Sequence, residues 1–225
     1  MSTEPNDGPA PDTVVFDIGE VLIDESRVWQ LWAELIGVSS LTFGAVLGAA
    51  VSQGEPVTSV FEHLVPNLDW PLLENEHERR YGGFAEQDLY PDVRPCLQAL
   101  TDLGLRVVLA GNQPVRRGPQ LEALALPASR VLTSEQLGHS KPDPAFFAAV
   151  RAQLANPEPE TLLYVGDRAD NDVLPAMELG WRTCWLRRGP WGRLQDLPDE
   201  VEPDLVLEGL GELPTWLDTG RGDDG

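Results

Sequence analysis

Asp17 closes the apolar, β-branched run 13–16, and Asp167 and Asp172 follow a similar run, 162–165. Short apolar runs of this kind read as buried parallel strands, and in an open α/β sheet ligands bind beyond the carboxyl ends of the strands. Carboxylates delivered to one such edge repel each other unless a cation lies between them. Asp167 and Asp172 also fit a helix cap and a first-turn acid, but that role suits Asp170 or Asn171 better. Lys141, between the runs 130–133 and 162–165, is the only lysine against fifteen arginines. A surface cation in this chain is normally Arg, so the lysine points to a place where a compact ammonium is needed and a forked guanidinium is too large. Gly111 and Asn112 end another run, 106–110, and offer backbone N–H groups and an amide to an anion.

The elements that must position these groups follow from the same pattern. Strands are predicted at 13–16, 106–110, 130–133, 162–165, 183–186 and 204–207, with helices at 93–103, 120–124, 144–154 and 172–179 between them. Such alternation implies an α/β protein with a doubly wound parallel sheet. Some ninety residues separate Asp17 from Gly111, where a plain crossover needs about thirty, so a domain is inserted there. Its segments 28–36, 41–51, 57–64 and 72–84 all favour helix, and a helical bundle over the sheet is expected. The boundaries read as a core of 13–23 with 88–217, a helical insert of 24–87, and tails 1–12 and 218–225 whose Pro, Gly and acid content lacks an apolar anchor and predicts disorder.

Composition narrows the partners. The formal net charge is −21, from 37 acidic and 16 basic residues, which repels a nucleic-acid backbone almost everywhere. A small anionic substrate must therefore be held by a few local cations and amides. No apolar run approaches a bilayer span and no charged-then-apolar leader opens the chain, so no membrane partner and a cytoplasmic location are expected. Cys96 and Cys184 are too far apart for a disulfide framework or zinc cluster and read as half-buried packing residues. Oligomeric state is not legible.

Four motifs in register resemble the haloacid dehalogenase (HAD) superfamily: Val-Val-Phe-Asp-Ile-Gly-Glu-Val-Leu at 14–22, Val-Val-Leu-Ala-Gly-Asn at 107–112, Ser-Lys-Pro-Asp-Pro at 140–144, and Val-Gly-Asp-Arg-Ala-Asp-Asn-Asp at 165–172. Order and spacing match from 13 to about 210. The resemblance implies a Rossmann-like core with a helical cap and a phosphatase acting on a small phosphorylated metabolite. Asp17 is then the nucleophile that forms an aspartyl phosphate. Mg²⁺ is held by Asp17, the carbonyl of Gly19 and Asp167, with Asp172 a direct or indirect partner. Lys141 lies between Asp17 and a phosphate oxygen, and Gly111 and Asn112 bind the phosphate.

Two positions depart from that pattern. Most phosphatases of the superfamily carry a second Asp two residues after the nucleophile as general acid/base, where this chain has Gly19. Glu20, a water or a cap residue must replace it, and installing Gly19→Asp is expected to raise turnover. Gly111 stands where a Ser or Thr hydroxyl is usual. Arg116, Arg117 and Arg168 follow strand ends and are secondary candidates for the phosphate, and Trp29 or Trp32 for the pocket wall. Two other readings compete: a metal-independent dehalogenase in which Asp17 attacks carbon, and a non-catalytic regulatory protein of the same fold.

Overall fold

The computed structural model describes residues 9–219. Six strands, β1 (Thr13–Phe16), β2 (Arg106–Gly111), β3 (Arg130–Thr133), β4 (Leu162–Gly166), β5 (Arg182–Leu186) and β6 (Leu205–Leu207), form one sheet in the order β3-β2-β1-β4-β5-β6, every pairing parallel. The central strands lack polar alternation because both faces are covered. Val14 and Phe16 pack with Leu109 and Val165 on one side. Val15 packs with Val108 and Tyr164 on the other. Chain order reverses between β1 and β4, which opens a crevice at their carboxyl ends.

Between β1 and β2 lie α1 (Ser26–Ile36), α2 (Ser40–Ser52), α3 (Ser59–Leu64), a 3-10 turn (Trp70–Leu73), α4 (Glu74–Tyr81) and then α5 (Val93–Asp102), which returns the chain to the sheet. α6 (Arg117–Ala123) follows β2, and α7 (Ser134–Leu137) and α8 (Pro144–Gln153) follow β3. A π-helical turn (Ala169–Val173) and α9 (Leu174–Glu178) follow β4, α10 (Gly189–Leu194) follows β5, and α11 (Leu213–Thr219) ends the described chain. Residues of α5 and α11 cover one face of the sheet, and Phe146, Phe147 and Val150 of α8 the other. The two cysteines are buried thiols, Cys96 and Cys184.

Helices α1 to α3, with Trp70 and Leu73 of the 3-10 turn, share a separate core around Trp32, Phe43, Leu47, Val60 and Phe61. Trp32 stacks on His77 at 4.3 Å between ring centroids and meets Phe61 edge-on at 4.9 Å. Trp191 of α10 enters this cluster from the sheet side. Two arginines also join the layers. Arg27 donates to Asp88 and to the carbonyls of Tyr81 and Gly83, and Arg117 donates to both carboxylate oxygens of Glu78, at 2.8 and 2.7 Å. Among the described residues no single helix is long and apolar enough to cross a membrane. The bent pair α1 and α2 passes such a test together, and both helices contribute buried residues to this cluster, Trp32 and Ala33 from α1 and Phe43, Leu47 and Val51 from α2.

Several elements differ from expectation for local reasons. The helix expected at 72–84 is α4 alone, preceded by the 3-10 turn, because Gly82 and Gly83 take positive φ (68° and 97°) and stop it. The helix expected at 172–179 is split into a π-helical turn and α9, and α7, α10 and α11 are too short or too broken by Gly and Pro to show a period. The folded part also reaches further out than expected. Asp12 donates to Thr161 O and accepts from Arg106 N, and α11 runs through Asp218 to Thr219. Of the expected tails, residues 1–8 and 220–225 lie outside the described residues.

Candidate active site

Asp17 is the first residue past β1, its N–H bonded to Val165 O of β4 at 2.9 Å. That pairing sets Asp17 beside the end of β4, one residue before Asp167. The π-helical turn then brings Asp172 back, and oxygens of Asp17, Asp167 and Asp172 lie within 4.8 Å of one another. Lys141 Nζ sits among them, 2.7 Å from Asp17 Oδ1 and 2.5 Å from Asp172 Oδ1. Burial alone would lower the lysine's pKa, but Asp17 and Asp172 outweigh it and raise the pKa well above the usual value. Burial pushes Asp172 up to about 6, against the pull of Lys141. Asp167 rises well above the carboxylate range, through burial first and then repulsion from Asp172 and Asp17. One ammonium does not neutralise three buried carboxylates, and Asp167 Oδ2 has no hydrogen-bond partner among the described residues. Oxygen ligands with unbalanced negative charge are the donor set of a hard divalent cation.

The carboxylates differ in what they have left to give. Asp172 spends Oδ1 on Lys141 and Oδ2 on Arg168 N at 3.0 Å. Asp167 uses its backbone carbonyl, which accepts from Trp185 Nε1 at 2.9 Å, and keeps its side chain free. The Gly19 carbonyl accepts from Val21 N at 2.6 Å within a tight turn that also bonds Leu22 N and Ile23 N to Ile18 O.

Asn112 takes a different part from the one expected. Its Oδ1 accepts from Lys141 N at 2.8 Å and its Nδ2 donates to Lys141 O at 2.9 Å. The amide therefore clamps the backbone that carries the lysine, and Asn112 also lines the cleft. Gly111 has a steric reason: a Cβ there would lie 2.5 Å from Asp17 Oδ1. We expect Gly111→Ala to fold but to drive the Asp17 carboxylate off Lys141, with kcat lower by roughly 10²-fold, the scale of an ångström-sized misplacement. Unchanged kcat with an intact circular dichroism spectrum would show that the close approach is unimportant.

Glu20, expected as a replacement acid/base, lines the cleft with both carboxylate oxygens hydrogen-bonded. Its Oε2 accepts from Tyr90 OH at 2.6 Å and its Oε1 from Glu25 N at 3.2 Å. It is 5% exposed and wedged against Gly189. Burial raises its pKa, with the Tyr90 hydrogen bond acting against this. Arg116 and Arg117 both engage Glu78 of α4, and neither lines the cleft. Arg168 does line the cleft, its guanidinium 2.7 Å from Asp170 and over the Trp191 ring. His139 is an exposed loop residue.

Among the cleft residues that the sequence did not mark are Trp191 and Glu25. The tryptophan in the cleft wall is Trp191, with Trp29 behind it, ring centroids 6.4 Å apart. Only the Gly-Pro-Trp after the fifth strand hinted at it. Glu25 also lines the cleft, and its carboxyl is pushed up to about 8 by burial, then by Glu20 and Asp17. The cavity is ≈ 120 Å³, a few times the ~30 Å³ share of one liquid water, so it suits a compact polar group.

A switch-point cleft with one carboxylate just past β1, one lysine and two acids after β4 defines the haloacid dehalogenase class of α/β proteins. The chain belongs to the family of haloacid dehalogenase-like hydrolases, whose family model matches residues 11–180. It is 32% identical over 133 residues to glyceraldehyde 3-phosphate phosphatase of Methanopyrus kandleri, a match spanning 58% of this chain and 57% of that protein. A protein of the same name from Pyrococcus furiosus is 29% identical over 233 residues, 94% of this chain and 95% of that one. The fold is similar to that of YfnB from Bacillus subtilis in a structure bound to magnesium, with a TM-score of 0.74 at 19% identity, covering 93% of this chain and 100% of that one.

Proposed function

We propose that the protein is a Mg²⁺-dependent phosphomonoesterase of a small phosphorylated metabolite, working through an aspartyl phosphate on Asp17. The observation that carries this reading is the buried, unpartnered Asp167 Oδ2 in a cluster of three carboxylates with one lysine. The cluster fits a divalent cation held by Asp17, Asp167 and the Gly19 carbonyl, with Asp172 positioning Lys141 behind them. When bound, Mg²⁺ would supply charge neutralisation at the phosphate.

Each residue then has a task. Lys141 fixes the Asp17 carboxylate through Oδ1, leaving Oδ2 to attack phosphorus, and its charge screens the approach of one anion to another. Asn112 keeps the lysine in register. Arg168 and Trp191 face the part of the substrate beyond the phosphate, and helices of 24–87, read as a cap on a core of 13–23 and 88–217, close that side and set specificity. The named activity of the relatives makes three-carbon phosphate esters such as glyceraldehyde 3-phosphate the first substrates to try. A cytoplasmic location belongs to the same reading.

The test is phosphate release from a panel of phosphorylated metabolites, with Mg²⁺ and with excess chelator. Release that falls to background in chelator and returns with Mg²⁺ is expected. Full turnover in chelator would favour the dehalogenase-type chemistry, and no release from any ester would favour a non-catalytic protein.

A further inference from the structure

Gly19 stands where a carboxylate is needed, yet the space beside it is filled. A Cβ built on Gly19 would lie 2.6 Å from Glu25 Oε1 and 3.0 Å from Glu25 Cδ. The tight turn at 18–23 brings the chain back on itself, so a side chain from six residues later reaches the volume a side chain at 19 would occupy. Glu25 stands at the N-terminus of α1 but does not cap it: its side chain makes no cap hydrogen bond, and Ser26 N is taken by Asp24 Oδ1. Among the described residues its carboxylate has no hydrogen bond or ion pair, although its backbone is held by Glu20 Oε1. It lines the cleft with Asp17, Lys141 and Asp167.

We infer that Glu25 is the general acid/base of the reaction, supplied from the start of the insert in place of a residue at 19. The inference rests on the phosphomonoesterase reading. In the first step an Asp17 oxygen bonds to phosphorus, the bond from phosphorus to the leaving oxygen breaks, and that oxygen takes the electron pair and the Glu25 proton. In the second, the Glu25 carboxylate takes a proton from water and the water oxygen bonds to phosphorus. The bond from phosphorus to Asp17 then breaks, which returns Asp17 as a carboxylate and Glu25 as an acid. Glu20 is a positioning residue that fixes the Glu25 backbone. The same geometry corrects the expectation for Gly19→Asp: the new carboxylate displaces Glu25 and duplicates it, so no gain in turnover follows.

The experiment uses the full chain with Mg²⁺ and p-nitrophenyl phosphate, whose leaving group needs little protonation. Glu25→Gln should lower steady-state turnover by roughly 10²–10⁴-fold while still releasing a burst of nitrophenol stoichiometric with enzyme, because phosphorylation outlives hydrolysis. Glu20→Gln should cost less than Glu25→Gln. Gly19→Asp with Glu25→Ala should recover at least about tenfold over Glu25→Ala alone, a rescue that a merely structural role for Glu25 does not give. Wild-type steady-state rates in Glu25→Gln, or a failed rescue in a folded double variant, overturn the assignment while leaving the proposed function standing. A wild-type protein that releases no phosphate from any ester removes the function and the assignment together.

Discussion

Asp17→Asn is expected to abolish turnover, by on the order of 10⁴-fold or more, the scale on which enzymes lose rate when a nucleophile is removed. The amide has the same shape but lacks the charge and lone-pair donation needed to attack phosphorus. The fold should not suffer. Asp17 is one of three carboxylates within 4.8 Å, and removing its charge relieves repulsion with Asp167 and Asp172, while Lys141 keeps its bond to Asp172. A melting temperature at or above that of the wild type in the absence of Mg²⁺, together with lost activity, is the expected pair of results. A variant that keeps near-normal rates removes Asp17 from the reaction.

Lys141→Met should lose both rate and stability. Lys141 is buried, 4% exposed, and holds both Asp17 and Asp172. Removing it leaves two buried carboxylates without their cation, and breaking a buried pair from one side typically costs about 3–5 kcal/mol. Denaturant unfolding without metal should show a loss of that size, and added Mg²⁺ should recover part of it by binding the uncompensated negative charge of the native state. Turnover should fall by roughly 10²–10³, as for the loss of one preorganised charge beside a reacting oxyanion. Lys141→Arg is not expected to rescue either property, because Tyr164 and the two carboxylates enclose the ammonium and leave no room for a planar fork. A stable, active Lys141→Arg variant would mean that the site is looser than its geometry indicates.

What the sequence reveals follows from how local the determining physics is. The strands were legible because apolar, β-branched runs have one use in an α/β chain, burial on both faces. Asp17 and Asp167 were legible because each sits a fixed step from a strand end, so sheet register brings them together, and the turn after β4 adds Asp172. Glu25 was not, because its place beside Gly19 depends on the path of the turn between them and on the direction in which α1 departs. Sequence shows that the carboxylate at 19 is missing, but only the fold shows which side chain fills the volume. Arg117 looked like a phosphate ligand because its partner Glu78 lies 39 residues away, and no spacing rule connects them. Asn112 looked like a free amide for the same reason: its partner is the backbone of Lys141, 29 residues on.

The central claim is that a phosphoryl group passes through Asp17. Acid quenching of the protein during turnover of a phosphate ester with Mg²⁺, followed by peptide mass spectrometry, locates that group directly. The account predicts a hydroxylamine-sensitive phosphoryl modification on Asp17, at higher occupancy in Glu25→Gln, where its breakdown is slowed. A protein that is turning over ester with no phosphoryl group on Asp17, or with the group on another residue, would contradict it.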